Sequence, residues 1–187
     1  MKTQRMGPRL GLLLGLLLGS LASAQEGTAP AASAEPLTHR ITAYVHSGVS
    51  LFLSDFRTMG GIGGGVGVRD TLNDRFILQA DARYLLGLGN AVELRVGAGI
   101  QRQGTWTPAA LVMVSGMAGG GMRFMTSARS TPVVAPALTV GLQLAPLRFT
   151  HSGTQFSLFE LGVGVGSEWP GRGVSMHLTL LEAGTSF

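Results

Sequence analysis

The sequence predicts an all-β fold, an eight-stranded antiparallel up-and-down barrel that crosses a membrane after removal of a signal peptide. Apolar and polar residues alternate with a period of two over eight segments, which is typical of strands with one apolar face. Only 13% of the residues are charged, about half the share found in soluble domains, and glycine, at 29 of 187 residues, is about twice as frequent as average. The chain also ends on an aromatic residue, Phe187, as expected for a closing strand that ends at a membrane interface.

Residues 1–24 have the three parts of a signal peptide. Lys2, Arg5 and Arg9 form a positive segment, and a leucine-rich run follows at 10–18. This run is too short for a transmembrane helix, which needs about 20 apolar residues. The small residues at 22–24, Ala-Ser-Ala, are typical of a cleavage site. We therefore expect a cleaved signal peptide at 1–24, a disordered periplasmic leader at 25–37 and one β-barrel domain at 38–187.

Charge and cysteine content exclude several classes of function. Removing residues 1–24 leaves 11 Lys and Arg against 10 Asp and Glu, and it removes the only lysine of the sequence. Nucleic-acid binding needs a basic face, so we expect no nucleic-acid partner. The absence of cysteine excludes a disulfide framework, a thiol nucleophile and a Cys-ligated metal.

The clearest alternation lies in two segments, 76–86 and 92–103, joined by a turn at 87–90. In the first segment only Ile77 and Leu85 depart from the pattern, and the pair predicts a β-hairpin. The other predicted strands are 40–53, 61–69, 109–124, 134–144, 156–168 and 174–187. Segment 109–124 is apolar on both faces. In the last segment, Leu178 and Leu180 are predicted to lie on the face opposite Phe187.

A period of two does not say which face of the barrel points inward. A soluble calyx of the lipocalin type would place apolar residues inside and polar residues outside. Its exterior should carry many Lys and Glu, whereas residues 25–187 contain no lysine and the polar face is largely glycine. Glycine weakens a strand, so the glycine rows at 61–67 and 162–166 are best explained by crowding in a narrow lumen. We therefore favour the membrane barrel over the calyx.

The signal peptide, the eight alternating strands and Phe187 together resemble the small, eight-stranded outer-membrane β-barrel proteins of Gram-negative bacteria. The resemblance covers residues 38–187 and is architectural. It implies an integral protein of the cell outer membrane with a structural, small-pore (porin-like) or interaction role. It also implies outer-membrane lipid and the barrel-assembly machinery as partners.

Two alternatives stay open: a lipid-modifying outer-membrane barrel enzyme, and a secreted soluble calyx that binds an apolar ligand. Every connection is predicted to be short, and the one at 146–154, on the periplasmic side, is among the longest. Short connections argue against loop-mediated adhesion.

The polar face predicts a lumen in which charges of both signs are balanced. The candidates for salt bridges in the lumen are Arg40, Arg69, Arg83, Arg95, Asp81, Glu93, Glu160 and Glu168. Four charges of each sign favour a salt-bridged, closed interior, whereas one sign should dominate in a selective pore. The aromatic candidates for the membrane interfaces are Trp106, Phe124, Phe149, Phe156 and Trp169. Phe187 is the candidate for barrel closure and assembly.

The sequence predicts no catalytic residue, no metal site and no cofactor. None of the four histidines has a second histidine or a carboxylate at a metal-ligand spacing. His46 and Ser47 are neighbours on a predicted strand, so their side chains point to opposite faces. The glycine-rich run at 60–65 is followed by neither a helix nor a lysine, so it does not fit a phosphate-binding loop.

Overall fold

The computed structural model describes residues 37–55, 57–122, 136–168 and 171–187, and their strands form a closed antiparallel β-barrel. The strands are β1 (His39–Ser54), β2 (Thr58–Leu72), β3 (Phe76–Gly87), β4 (Ala91–Gln101), β5 (Ala109–Gly119), β6 (Gly121–Met122), β7 (Ala137–Ala145), β8 (Leu147–His151), β9 (Thr154–Glu168) and β10 (Gly171–Ser186). Both β7 and β8 pair with β9 in one register, so they are two parts of a single barrel strand. With the two-residue β6 set aside, the barrel wall has eight strands, as predicted.

The first and last strands close the barrel. β10 pairs with β1 along their length, and β1 also pairs with β2. The Phe187 backbone continues this seam, because its N–H donates to the Ile41 carbonyl at 2.9 Å and its carbonyl accepts from the Ile41 N–H at 3.3 Å. Closure of this kind removes the unpaired strand edges that an open sheet would expose.

We call the end of the barrel that carries Phe187 the base, and the opposite end the top. At the base, consecutive strands are connected by 73–75, 102–108 and 152–153. At the top, strands of the wall end at Ser54, Gly87, Gly119 and Glu168. The predicted connection at 146–154 is wrong, since β8 occupies most of it. Ser152 (φ 46°) and Gly153 (φ 80°) alone make the turn, and positive φ at both central residues is the signature of a two-residue type I′ hairpin.

A bulge crosses three adjacent strands near the base. Pairing is interrupted at Pro146 between β7 and β8, at Phe159 in β9 and at Leu180 in β10. Proline has no N–H to give to the ladder, so within a sheet it is confined to such irregular positions. Phe159 has a φ of 53°, which is uncommon for a bulky residue. The extra residue reverses the inward and outward alternation on either side of the bulge.

This reversal corrects the prediction for the last strand. Thr179 and Glu182 both point into the barrel, and Leu180 lies on the outer face, where it is 42% exposed. Leu178 pairs with the outward-facing Leu161. Leu178 and Leu180 therefore share the outer face with Phe187, rather than lying opposite it.

The two faces of the wall differ in polarity. Outward-facing residues are large and apolar, and Ile62, Val66 and Val165 are each more than 60% exposed. Inward-facing residues in the middle of the barrel are charged, polar or glycine. No helix in the described ranges is long and apolar enough to cross a membrane. The predicted signal peptide, almost all of the leader, Phe124 and Trp169 lie outside the described residues.

Candidate functional site

The candidate site is the lumen, where Arg69 of β2 contacts side chains of four other strands. Its guanidinium donates two hydrogen bonds to the Glu182 carboxylate, at 2.8 and 3.0 Å, and others to Gln79 and Gln155. It also lies 4.7 Å from the centre of the Tyr44 ring, within the range of a cation–π contact. Arg69 is fully buried. Its partners come from β1, β3, β9 and β10, so it ties together strands on both sides of the seam.

A second group in the lumen is built around Asp81 of β3. Arg95 donates from Nε to this carboxylate at 2.8 Å, and the Tyr44 hydroxyl donates to its other oxygen at 3.3 Å. Arg83 lies nearby and donates to His46 Nδ1 at 2.9 Å and to Thr179 Oγ1 at 3.0 Å. Each of these buried charged groups therefore has a hydrogen-bonding partner in the lumen, which offsets part of the cost of removing its charge from water.

The third group contains Glu160 of β9. Arg148 donates to one of its carboxylate oxygens at 2.6 Å, and the Gln143 side-chain amide donates to the other at 2.7 Å. Both Arg148 and Glu160 are at most 2% exposed. Gln143 also accepts a hydrogen bond from Arg95 at 3.4 Å, which links this group to Asp81.

A different arrangement lies at the top of the lumen. Residues 121–122 of β6 pair with 58–59 at the start of β2, although β3 and β4 separate β2 from β5 in the wall, so the chain crosses the barrel end. Arg57 donates to the Glu168 carboxylate at 2.5 Å, and Ser54 also donates to it. Beneath this ion pair lies an apolar cluster of Phe52, Met59, Leu85, Ala91, Met117 and Ala137.

A smaller apolar cluster lies toward the base and contains Ile77, Ala109, Leu111, Met113 and Ala145. Ile77 and Leu85 are the two residues that broke the alternation of 76–86 in the sequence. Each is at most 1% exposed and points into the lumen. The lumen is therefore charged in its middle and apolar in parts of both ends.

Inward-facing glycines make room for the large side chains of the lumen. Gly67 is paired with Tyr44, Gly65 with His46 and Gly97 with Met113. A Cβ atom added at Gly67 would lie 2.3 Å from Cζ of the Tyr44 ring, closer than packing allows. The space beside these glycines is thus occupied by the side chains of neighbouring strands. The cavity lined by Arg95, Ser115 and His177 has a volume of about 10 Å³, the space of about one water molecule.

One histidine lies beside a serine and an acid in the lumen. Ser50 Oγ is 2.8 Å from His177 Nδ1, and Glu93 Oε1 is 3.1 Å from the same nitrogen. A serine hydrolase needs the serine and the acid on different ring nitrogens. Ser50 is also fully buried. This group is therefore not arranged as a catalytic triad and leaves no room for an acyl substrate.

The structure places the predicted charged residues in two environments. Seven of them are buried in the lumen: Arg69, Arg83, Arg95, Asp81, Glu93, Glu160 and Glu168. Of these seven, only Arg95 and Asp81 form an ion pair with each other. Arg40 instead lies at the base, where it pairs with the exposed Asp74 at 2.9 Å. Four other lumen residues, Arg57, Arg148, Glu182 and His177, were not predicted from the sequence.

The described aromatic candidates lie on the outer face at the base. Trp106, Phe149 and Phe156 are 38–46% exposed, and Phe187 is 76% exposed. Trp106 forms a β-bridge with Phe149 and donates from Nε1 to the Pro146 carbonyl at 2.9 Å. The sequence reasoning did not single out Phe76, which is 52% exposed at the same end. The membrane-interface role of these residues stays a prediction.

Comparison with known proteins identifies the architecture. The crystal structure of Neisserial surface protein A is similar to this chain with 10% identity and a TM-score of 0.52, over 82% of this chain and 100% of that one. The chain has the fold of a small eight-stranded outer-membrane β-barrel. Likeness at this identity establishes the fold and no function. No protein-family model and no curated protein matches the sequence.

Two further barrels are more distantly similar. Ail, the attachment invasion locus protein of Yersinia pestis, in a complex with the heparin analogue sucrose octasulfate, has 13% identity and a TM-score of 0.46, over 80% of this chain and 99% of that one. The N-terminal β-barrel domain of Pseudomonas aeruginosa OprF has 8% identity and a TM-score of 0.45, over 81% of this chain and 100% of that one.

Proposed function

We propose that this chain is an integral protein of the cell outer membrane whose closed barrel has a structural or interaction role and no catalytic activity. The observation that carries the proposal is the inverted polarity of the wall, with apolar side chains outside and buried ion pairs inside. A soluble calyx would need the opposite arrangement, because an exterior of exposed Val, Leu and Ile over most of the barrel would aggregate in water.

Membrane location can be tested by fractionation and gel mobility. We expect the expressed protein to partition with outer membranes, to require detergent for extraction, and to change its mobility on a denaturing gel after boiling. Such a shift indicates a barrel that stays folded until it is heated. Recovery of a folded protein in the soluble fraction without detergent would contradict the membrane assignment.

The closed lumen is the second part of the proposal. Five buried arginines and five buried carboxylates lie in the described part of the barrel, and neither sign dominates. The apolar cluster around Phe52 and Met59 and the Arg57–Glu168 pair cover the top. We expect no stable conductance when the purified protein is reconstituted in a planar bilayer, with an open porin in a parallel bilayer as the control. Stable openings would favour a small pore instead.

We further propose that Phe187 contributes to assembly by the barrel-assembly machinery. Its backbone is paired with Ile41 at the seam, while its side chain projects outward and is 76% exposed. We expect Phe187→Ala to lower the amount of assembled barrel in the outer membrane several-fold, with little change in the stability of barrels already folded. Phe76→Ala, which removes another exposed aromatic at the base, is the matched control. Equal assembly of both variants and wild type would contradict this role.

A further inference from the structure

The outer wall carries a groove that runs from the base toward the middle of the barrel. Its basal part, about 640 Å³, is lined by Arg75, Ile100, Arg102, Ala110 and Leu144, among others. A second hollow of about 540 Å³ shares Ile100, Ala110 and Leu144 and continues to Val112 and Val163. The two hollows therefore form one groove, with small and branched apolar residues along it and arginines at its basal end.

The arginines at the end of this groove have no acidic partner among the described residues. Arg75 and Arg102 are both exposed and lie on adjacent backbone segments, since the Gln101 N–H donates to the Arg75 carbonyl at 2.8 Å. The nearby carboxylates are already engaged, Asp70 by His39 at 3.0 Å and Asp74 by Arg40 at 2.9 Å. Two positive charges are therefore left at the groove's basal end.

An aromatic side chain lies against one of these arginines. The Arg102 guanidinium carbon lies 5.2 Å from the Trp106 ring centre, and Trp106 is itself held by its hydrogen bond to the Pro146 carbonyl. Tryptophan is enriched at membrane–water interfaces. In the membrane location proposed above, the guanidinium groups would lie at the depth of lipid phosphates, and the apolar groove would run from there toward the membrane centre.

We propose that this groove binds one anionic phospholipid from the leaflet at the base, with its phosphate against Arg75 and Arg102 and an acyl chain along Ile100, Ala110 and Leu144. Arginine suits phosphate because its planar donors match the phosphate oxygens. Another large hollow on the outer wall, about 940 Å³ between Ala43 and Leu94, has no arginine in its lining. A smaller hollow at the base is lined by Arg40, but this arginine is already paired with Asp74. The charge pattern therefore selects the first groove. This inference rests on the membrane location proposed above.

The test uses Trp106 as the reporter of bound lipid. The sequence has two tryptophans, so Trp169→Phe leaves Trp106 alone. This protein is reconstituted in phosphatidylcholine vesicles containing a small, equal fraction of brominated phosphatidylglycerol or brominated phosphatidylcholine, which quench tryptophan fluorescence on contact. We expect the anionic lipid to quench more strongly, because each arginine near an anionic lipid favours it about fivefold.

Arg75→Gln and Arg102→Gln, made singly and together in this background, should each lower the preference for the anionic lipid several-fold. Arg172→Gln, which removes an exposed arginine at the top, is the matched control and should leave the preference unchanged. Equal quenching by the two lipids would overturn the proposal. An equal loss of the preference in all the variants, Arg172→Gln included, would also overturn it. So would loss of the preference on adding inorganic phosphate equimolar to the lipid. Absence of quenching by both lipids would instead contradict the membrane location.

Discussion

The lumen and the outer wall are formed by alternate residues of the same strands, yet different forces stabilise them. Inside, the side chains at the middle of the barrel are joined by charge-assisted hydrogen bonds, such as the two between Arg69 and Glu182. Outside, the large apolar side chains of the wall are about half exposed, and surrounding lipid would cover this surface without the cost of contact with water. In the middle of this barrel, therefore, inward positions hold charged and polar residues and outward positions hold apolar ones, the reverse of a soluble domain.

The largest loss of unfolding free energy should come from removing one charged side chain of the lumen. Arg69→Met leaves the Glu182 carboxylate buried without its partner, and loss of one member of a buried pair costs about 3–5 kcal/mol. We expect the free energy of unfolding, measured by urea titration of the barrel in lipid vesicles with tryptophan fluorescence, to fall by this amount.

The double variant Arg69→Met/Glu182→Leu is the control for this prediction. Replacing a whole buried ion pair by apolar residues of similar volume is often neutral or stabilising, so the double variant should be more stable than Arg69→Met alone. The single variant Glu182→Leu completes the cycle: if the double variant lost as much unfolding free energy as the two single variants together, the interaction between Arg69 and Glu182 would contribute little.

The outer wall can be tested by adding a charge. Val96 lies midway along β4 and is 59% exposed, so Val96→Arg would place a guanidinium near the bilayer centre. An arginine there costs about 2–4 kcal/mol in a membrane barrel, and much less near the interfaces. Thr185→Arg, on the outer face beside the base, is the matched control and should change the same unfolding free energy by less than about 1 kcal/mol. If both substitutions were harmless, the outer wall would not face lipid.

How well the sequence predicts the structure also differs between regions. In the β3–β4 hairpin the alternation is nearly regular, and it correctly predicts the two strands and the polar face on which Asp81 and Arg95 lie. The structure adds that these two residues are directly paired. The same reasoning fails around Pro146, because a proline in a strand is more often the sign of a loop. Because that segment was predicted as a connection, Arg148 was not assigned to the lumen. The alternation of Leu147, Arg148, Phe149 and Thr150 is the signal that could have identified it.

The bulge at Leu180 explains why the sequence did not predict that Glu182 faces the lumen. A period of two assumes an uninterrupted strand, so one extra residue reverses every assignment beyond it. Glu182 therefore could not be placed inside the barrel from β10 alone, although it is the partner of Arg69. The pairing of residues 121–122 with 58–59 joins segments that are not neighbours in the wall. No local pattern encodes that pairing.

A smaller loss of unfolding free energy is expected when a methyl group is added at a tightly packed glycine of the lumen. Gly67→Ala would force a methyl group against the Tyr44 ring, and overpacking of this kind costs about 1–3 kcal/mol. Gly116→Ala is the matched control, because Gly116 faces outward and its nearest neighbour would be the Leu138 Cδ2 atom at 3.4 Å, an ordinary contact. We expect Gly116→Ala to be neutral or slightly stabilising in the same urea titration. Equal losses of unfolding free energy at both sites would imply that Gly67 is needed for the conformation of the strand and not for space in the lumen.

The smallest effect should come from the charged candidate that lies outside the lumen. Arg40 pairs with Asp74, but the side chains are 30% and 55% exposed, and exposed pairs typically contribute less than about 1 kcal/mol. Arg40→Gln should therefore lower the unfolding free energy far less than Arg69→Met does. The small loss should shrink further in high salt, which screens exposed charges, whereas the loss from Arg69→Met should persist. Equal losses for the two substitutions would mean that burial does not distinguish these two arginines.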